Sequence, residues 1–314
     1  MEEIENKHTL LFYKFVDIKN PEKFAGEHMD FCKRVGLLGR IIIAKEGING
    51  SVGGTKKQVD DYKDMMRKDK KFFDISFKED IGKSTPFTKM KVLVKDEIIA
   101  MKRRVDMGKK AQYISPEELL KMYESGEDFI ILDARNDYEW KVGKFKNAMT
   151  LQIKTFRQFP EELDKIKDNL FGKKVVSYCT GGIRCEKATA YMKEIGIEEV
   201  YQLEDGIINF CKVFPDTKWE GKCFVFDKRL IADYNNEKKN IVNCELCEGN
   251  CDLYRNCKSA ECDKLVVMCV SCEKKMNGCC SESCLAEFKE FCRKKAFARQ
   301  GRKTLISSSN PVNN

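Results

Sequence analysis

The sequence predicts an α/β protein built in three parts. Strand-like runs of β-branched and aromatic residues bracket a helix near the N-terminus, and further on short strands and helices alternate regularly. Beyond Asp227 the periodicity fades, and eleven of the sixteen cysteines lie from Cys244 onward. A chain of 314 residues is long enough for two or three domains of roughly 100–200 residues each. The pattern divides it into a first domain at 1–100, a linker at 101–112, a second domain at 113–220, a cysteine-rich module at 221–306 and a disordered tail at 307–314.

In the first domain, residues 9–16 and 38–44 read as strands, and the segment from Pro21 to Val35 has helical spacing. The turn Lys45 to Gly50 leads into a short edge at Ser51 to Gly54. A polar helix then spans 56–68, and strands lie near 72–78 and 90–95. This is a split β-α-β order of ferredoxin-like or acylphosphatase-like type.

The basic, weakly periodic stretch 101–112 follows. Ser115-Pro116-Glu117-Glu118 is a capping box with proline at the first helical position, so a helix starts there and runs to about Glu124. Strands at 129–132, 148–151, 174–178 and 199–203 alternate with helices at 160–168 and 185–195, and Gly196 closes the last helix. Such alternation implies a mostly parallel sheet covered on both faces, with its ligand site at the carboxyl ends of the strands. Asp133 and Cys179 sit at such ends. A basic helix at 285–300 precedes the tail.

Composition narrows the function classes. With 42% apolar and 34% charged residues, the chain is expected to be a soluble folded protein. Neither a leader-like N-terminus nor an apolar run of about 20 residues is present. A cytoplasmic protein without a membrane anchor is therefore expected, and its cysteines are expected to serve as metal ligands or catalytic thiols. The net charge is +8, with eight basic and three acidic residues from Lys89 to Lys110 and seven basic and one acidic from Lys289 to Lys303. An acidic partner suits both runs, though each also reads as an ordinary solvated face. The two histidines, His8 and His28, are too few for a histidine-rich metal site and lie far from Cys179.

Cys179 carries the chemistry. A buried strand ends at Tyr178, the turn Thr180-Gly181-Gly182 lets the backbone curl, and a helix starts beyond Ile183 and Arg184. The curled N–H groups and the positive end of the helix would cradle a thiolate, and Arg184 adds a cation. A thiol drawn down from about 8.5 is ionised and nucleophilic near neutrality, and a persulfide on it would be stabilised too. The four residues between Cys179 and Arg184 are one too few for the five that a cysteine phosphatase loop encloses. Cys185 is a candidate to resolve an oxidised Cys179. Asp133 and Arg135 are expected to pair behind the loop. Glu46 and Asn49 read equally as function or as turn chemistry, with Asn49-Gly50 supplying positive φ for a hairpin.

Cys179 to Arg184 resembles the active loop of rhodanese domains, and Leu132-Asp133-Ala134-Arg135 with Glu139 resembles their opening motif. Together with Ala44 to Gly50, Cys185-Glu186-Lys187 and the cysteine-rich end, these segments resemble the bacterial tRNA uridine(34) hydroxylase family over nearly the whole chain. The resemblance implies oxygen-dependent conversion of the wobble uridine of tRNA to 5-hydroxyuridine, with molecular oxygen as co-substrate and Cys179 essential. Rhodaneses commonly carry Gly-His-Ile where this chain has Gly143-Lys144-Phe145, which implies a local change of shape. A sulfurtransferase carrying a persulfide on Cys179 is the alternative, and an inert rhodanese fold in an RNA-binding protein is a third reading.

In the tail, Cys244, Cys247, Cys251, Cys257, Cys262, Cys269, Cys272, Cys279, Cys280 and Cys284 form closely spaced thiols suited to structural zinc, with iron–sulfur ligation as the competitor. Arg293, Lys294 and Lys295 are candidate contacts to RNA phosphates, as part of the basic run that continues to Arg299, Arg302 and Lys303. The unpaired anticodon loop is the expected docking target.

Overall fold

A computed structural model describes residues 6–215, 217–227, 229–233, 242–262 and 264–307, with side chains as far as Lys295. Strand β1 (Lys7–Phe15) shows why the first domain forms. Leu10 and Phe12 are fully buried in one core with Ala25 and Cys32 of helix α1 (Pro21–Val35) and Val59, Tyr62 and Met66 of helix α2 (Lys56–Lys68). By the twofold alternation of a strand, Leu11, Tyr13 and Phe15 face the other side. Helix α1 begins where the Asn20 side chain accepts from Lys23 N at 2.9 Å with Pro21 at the first position, and it ends at Gly36, φ 78°.

Strands β2 (Leu38–Ala44), β3 (Gly47–Gly54), β4 (Phe77–Gly82) and β5 (Met90–Val94) complete a five-stranded sheet in the order β4-β1-β3-β2-β5. Every pairing is antiparallel except β2 with β5. The expected edge at Ser51 to Gly54 is instead the second half of a central strand. Asn49 and Gly50 do not turn; they pair with Tyr13 and Phe12. The glycines that read as a loop are needed in the strand, because a Cβ at Gly50 would fall 2.6 Å from the Phe12 ring and one at Gly47 only 2.0 Å from Lys14 O. The strand expected at 72–78 begins only at Phe77, since Phe72 and Ile75 enter the core from a turn.

The second domain contains β6 (Gln112–Ile114), α3 (Pro116–Ser125), β7 (Ile130–Asp133), α4 (Asp137–Trp140), β8 (Gly143–Phe145), β9 (Met149–Thr150), α5 (Phe159–Asp164), β10 (Val175–Tyr178), α6 (Ile183–Glu194), β11 (Val200–Leu203) and α7 (Gly206–Val213). Its sheet is parallel in the order β6-β11-β10-β7-β9, so β10, which delivers Cys179, is the central strand. Ser115 and Glu118 close the expected capping box reciprocally at 3.2 and 2.8 Å. Helix α5 stops at Asp164, short of the expected 168, and a separate 3-10 turn covers Lys167–Asn169. Three elements of the second domain escaped the sequence reading, β6, β8 and α7. The Gly143-Lys144-Phe145 departure is β8, whose Phe145 is wholly buried against Tyr178, Phe210 and Trp219 at 4.8, 4.7 and 5.3 Å between ring centres. Strand β8 pairs with β12 (Trp219–Gly221), and β13 (Cys223–Phe224) with β14 (Ile231–Ala232).

The chain separates into two units, residues 1–239, which hold both sheets, and residues from 240 on. The second unit has a hairpin of β15 (Tyr254–Asn256) and β16 (Leu265–Val267), a short helix α8 (Val270–Lys275) and a long helix α9 (Glu282–Ser307). Its small core is Cys257, Cys279 and Cys284 packed with Leu285 and Phe288. Helix α9 extends beyond the expected 285–300 at both ends.

Candidate active site

Cys179 follows the last residue of β10 and has no exposed surface. The loop is held from outside by α7, where Ile207 N donates to Cys179 O at 3.0 Å and Ile208 N to Thr180 O at 3.2 Å. Gly206, φ 68°, permits this approach, since a Cβ there would lie 2.3 Å from Cys179 O. With the loop carbonyls engaged by α7, N–H groups are left for the sulfur. Gly182, φ 98°, donates its N–H to Cys179 Sγ at 3.1 Å.

Burial works against ionising Cys179. It is outweighed by the hydrogen bond from the Cys185 thiol, the charge of Arg184 and the N–H groups of Arg184 and Cys185, and the pKa falls to about 5. Cys185 is therefore in contact with Cys179 across the turn. Burial and the neighbouring thiolate push Cys185 well above the usual thiol range, so it stays protonated and acts as a donor, and Ser177 Oγ donates to its sulfur at 3.7 Å. Arg184 is clamped on Glu139, with Nη1 to Oε2 at 2.5 Å and Nη2 to Oε1 at 2.7 Å. Thr180 Oγ1 donates to the same carboxylate at 3.2 Å. Ile183 opens α6.

Asp133 and Arg135 stand behind the loop. Both are fully buried, and Asp133 accepts from Arg135 Nε at 2.9 Å, from Arg135 Nη2 at 2.7 Å and from the Tyr178 hydroxyl at 2.5 Å. Arg135 Nη2 also reaches Gly143 O at 2.6 Å, so this network ties the ends of β7 and β10 to β8.

The other wall of the site comes from the first domain. Its sheet turns the β1 face carrying Leu11, Tyr13 and Phe15 onto the catalytic loop. The Tyr13 hydroxyl donates to Glu186 Oε1 at 3.1 Å, an oxygen that also accepts from Tyr113 at 2.5 Å, while Lys110 approaches Oε2 at 3.1 Å. Lys78, opposite Leu11 in the sheet, pairs with Asp205 at 2.6 Å and lies 5.2 Å from the Tyr13 ring centre. Buried Lys187 reaches Glu46 Oε1 at 2.9 Å, Glu97 Oε2 at 2.6 Å and Ile99 O at 3.1 Å. Glu46 also accepts from Ile98 N at 2.8 Å, and Asn49 Nδ2 donates to Ile98 O at 3.0 Å. The glycine-rich motif of the first domain and the cysteine motif of the second thus meet. His8 bonds Glu79 at 2.6 Å and His28 the Phe24 carbonyl at 3.1 Å, both as structural partners in the first domain. Leu11 and Tyr13 were not singled out in the sequence. The signal available was the aromatic alternation in TLLFYKF, which places a tyrosine on the face opposite the core.

The second unit gathers eight of the tail cysteines into two groups, Cys244, Cys247, Cys269 and Cys272, and Cys257, Cys262, Cys280 and Cys284, with the sulfurs of each group within 4.8 Å of one another. Cys251 and Cys279 belong to neither; Cys251 Sγ accepts from Leu253 N at 3.3 Å and Cys279 is buried in the small core. Sulfur pairs stand at 3.7 Å (Cys247 and Cys269), 3.6 Å (Cys262 and Cys280) and 3.7 Å (Cys280 and Cys284). A tetrahedral zinc with Zn–S near 2.3 Å requires sulfur separations of about 3.8 Å. Arg293, Lys294 and Lys295 are exposed on α9. Lys294 pairs with Glu290 at 2.7 Å, and Lys295 lies 5.7 Å from the Phe291 ring centre. The side chains of Arg299, Arg302 and Lys303 fall outside the described ones. In the linker, Arg103 lies 4.7 Å from the Tyr191 ring centre.

Three known domain families match the chain, the UPF0176 acylphosphatase like domain over residues 7–98, the Rhodanese-like domain over 115–212 and the Rhodanase C-terminal region over 220–285. The tRNA uridine(34) hydroxylase of Staphylococcus carnosus is 41% identical over 283 residues, covering 88% of this chain and 89% of its own. That of Cytophaga hutchinsonii is 42% identical over 284 residues, covering 90% of each. Among solved structures, the rhodanese-like domain of an Anabaena protein aligns over 35% of this chain and 78% of its own, at 22% identity and a TM-score of 0.30.

Proposed function

The chain belongs to the tRNA uridine(34) hydroxylase family, and on that premise we propose that it converts uridine 34 of tRNA to 5-hydroxyuridine with Cys179 as the essential residue. The observation that carries this reading is the cradled Cys179 sulfur, ionised at neutral pH by a pKa of about 5. An unpaired anticodon loop can present a splayed base to such a site, and exposed basic residues can hold its phosphates. Molecular oxygen is the co-substrate, one atom entering C5 of the base and the other leaving as water with two electrons from a reductant. The work belongs in the cytoplasm, where tRNA is modified. Among the described residues no helix is long and apolar enough to cross a membrane.

The two cysteine groups fit zinc by donor type and sulfur spacing. Cys244, Cys247, Cys269 and Cys272 would hold one ion and Cys257, Cys262, Cys280 and Cys284 the other. Zinc there would offset part of the charge of four thiolates and cross-link a segment too small to be held by an apolar core alone.

The test is nucleoside mass spectrometry of tRNA from cells lacking the gene and complemented with the wild type or Cys179→Ser. Wild type restores 5-hydroxyuridine and its derivatives, Cys179→Ser restores none, and growth under labelled oxygen places the label in the base. Loss of a thiolated nucleoside in the deletion strain, with 5-hydroxyuridine untouched, assigns Cys179 to sulfur transfer through a persulfide instead.

A further inference from the structure

The first domain packs onto the loop that holds Cys179. A Cβ at Gly181 would strike Leu11 Cδ2 at 2.8 Å, and one at Gly182 would strike the Tyr13 hydroxyl oxygen at 2.8 Å. Leu11 and Tyr13 therefore rest directly on the loop that cradles the thiolate, and the Tyr13 hydroxyl is a polar group laid over it. This ring is not spent on the first domain's core, which Leu10 and Phe12 fill from the opposite face of β1. Nor is Tyr13 needed to satisfy Glu186, because Tyr113 donates to the same oxygen at 2.5 Å and Lys110 meets the other at 3.1 Å. The Tyr13 bond is the longer of the two tyrosine contacts, at 3.1 Å, so it is the one more cheaply exchanged for a substrate acceptor.

Uracil has an acceptor that needs such a donor. When a thiolate adds to C6, the S–C6 bond forms, the C5–C6 π pair shifts to C5–C4, and the C4 carbonyl pair moves onto O4 as an enolate. Nothing is oxidised and no proton is lost in that step, and C5 becomes electron-rich, as the later attachment of oxygen to C5 requires. A preorganised O–H aimed where charge develops stabilises such a step most.

Resting on the hydroxylase reading, we propose that Tyr13 is a catalytic residue donated by the first domain, its hydroxyl binding O4 of the target uracil while Cys179 adds to C6. Burial, followed by the charges of Glu186, Tyr113 and Cys179, holds the Tyr13 hydroxyl protonated, so it stays a donor wherever Cys179 is a thiolate.

The experiment uses the full chain and tRNA carrying 5-fluorouridine at position 34, whose fluorine makes C6 more electrophilic; the enolate formed there takes a proton from water at C5, giving a saturated adduct that accumulates. Without oxygen or reductant, wild type should form a denaturation-stable protein–RNA adduct mapping to Cys179. Tyr13→Phe, which keeps the ring, should form it about 10²–10³-fold more slowly, the usual effect of losing one oxyanion donor. Its melting temperature and Cys179 titration should be unchanged. An adduct rate equal to wild type overturns the proposal, and so does a shifted Cys179 titration, which would mean that Tyr13 acts through the thiol. Wild-type protein that restores 5-hydroxyuridine in cells yet traps no adduct also overturns it. Failure of wild type to restore 5-hydroxyuridine instead overturns the hydroxylase reading on which it rests.

Discussion

Cys185 keeps its proton because its neighbour gives one up, and the bond between the two sulfurs stabilises the charged form of Cys179. Cys185→Ala removes that donor while leaving Arg184 and the loop N–H groups in place. A hydrogen bond to a charged group contributes roughly 1.5–3 kcal/mol, and one pKa unit corresponds to about 1.4 kcal/mol. The Cys179 pKa should therefore rise by about 1–2 units from its value near 5. Losing a partner of the anion favours the protonated thiol, so the thiolate is lost over a higher pH range. Ultraviolet thiolate absorbance of Cys185→Ala, taken as the difference from Cys179→Ser/Cys185→Ala, reads this directly, and an unmoved midpoint refutes it. Cys179 was legible in the sequence because strand, glycine turn and helix start lie next to one another along the chain. Tyr13 was not, because nothing local says which face of a strand will meet a second domain.

Helix α7 is the element on which the loop geometry leans, and it went unread because Asp205, φ 58°, and Gly206 look like a turn alone. Its role as the partner of the loop carbonyls appears only when β11 returns the chain beside β10. Strand β3 was misread for the opposite reason, since four glycines suppress a strand signal that neighbouring rings require. The tail elements were half legible. Short cysteine spacings marked out close thiol pairs, with Cys251 and Cys279 among them, but the gathering of eight into two groups, first pair with third and second with fourth, depends on the β15–β16 hairpin. Elemental analysis should give close to two zinc ions per chain, with iron near zero. Chelation should expose residues 242–295 to protease while the unit before residue 240 keeps its thermal transition. A coloured protein with acid-labile sulfide, or a tail still resistant after chelation, contradicts this.

For the whole molecule, the two motifs that the sequence displayed separately are joined by the ion pairs of Lys187 with Glu46 and Glu97. We propose that the exposed cations of α9 contribute to tRNA affinity. Replacing Arg293, Lys294 and Lys295 with glutamine should weaken tRNA binding and lower the slope of log K against log salt by roughly 2, if each neutralises one phosphate. The adduct at Cys179 should still form at saturating tRNA. Unchanged affinity and slope would return the helix to an ordinary solvated face and direct attention to Lys102, Arg103 and Arg104. The roof of Leu11 and Tyr13 has a consequence beyond catalysis. A thiolate present at neutral pH is what peroxides attack, and oxidation past the sulfenic acid is not readily reversed. Cys179 has no exposed surface, and a strand near the N-terminus, packed on its loop, adds to the shielding of a residue more than a hundred and fifty positions later from the oxidants of an aerobic cell.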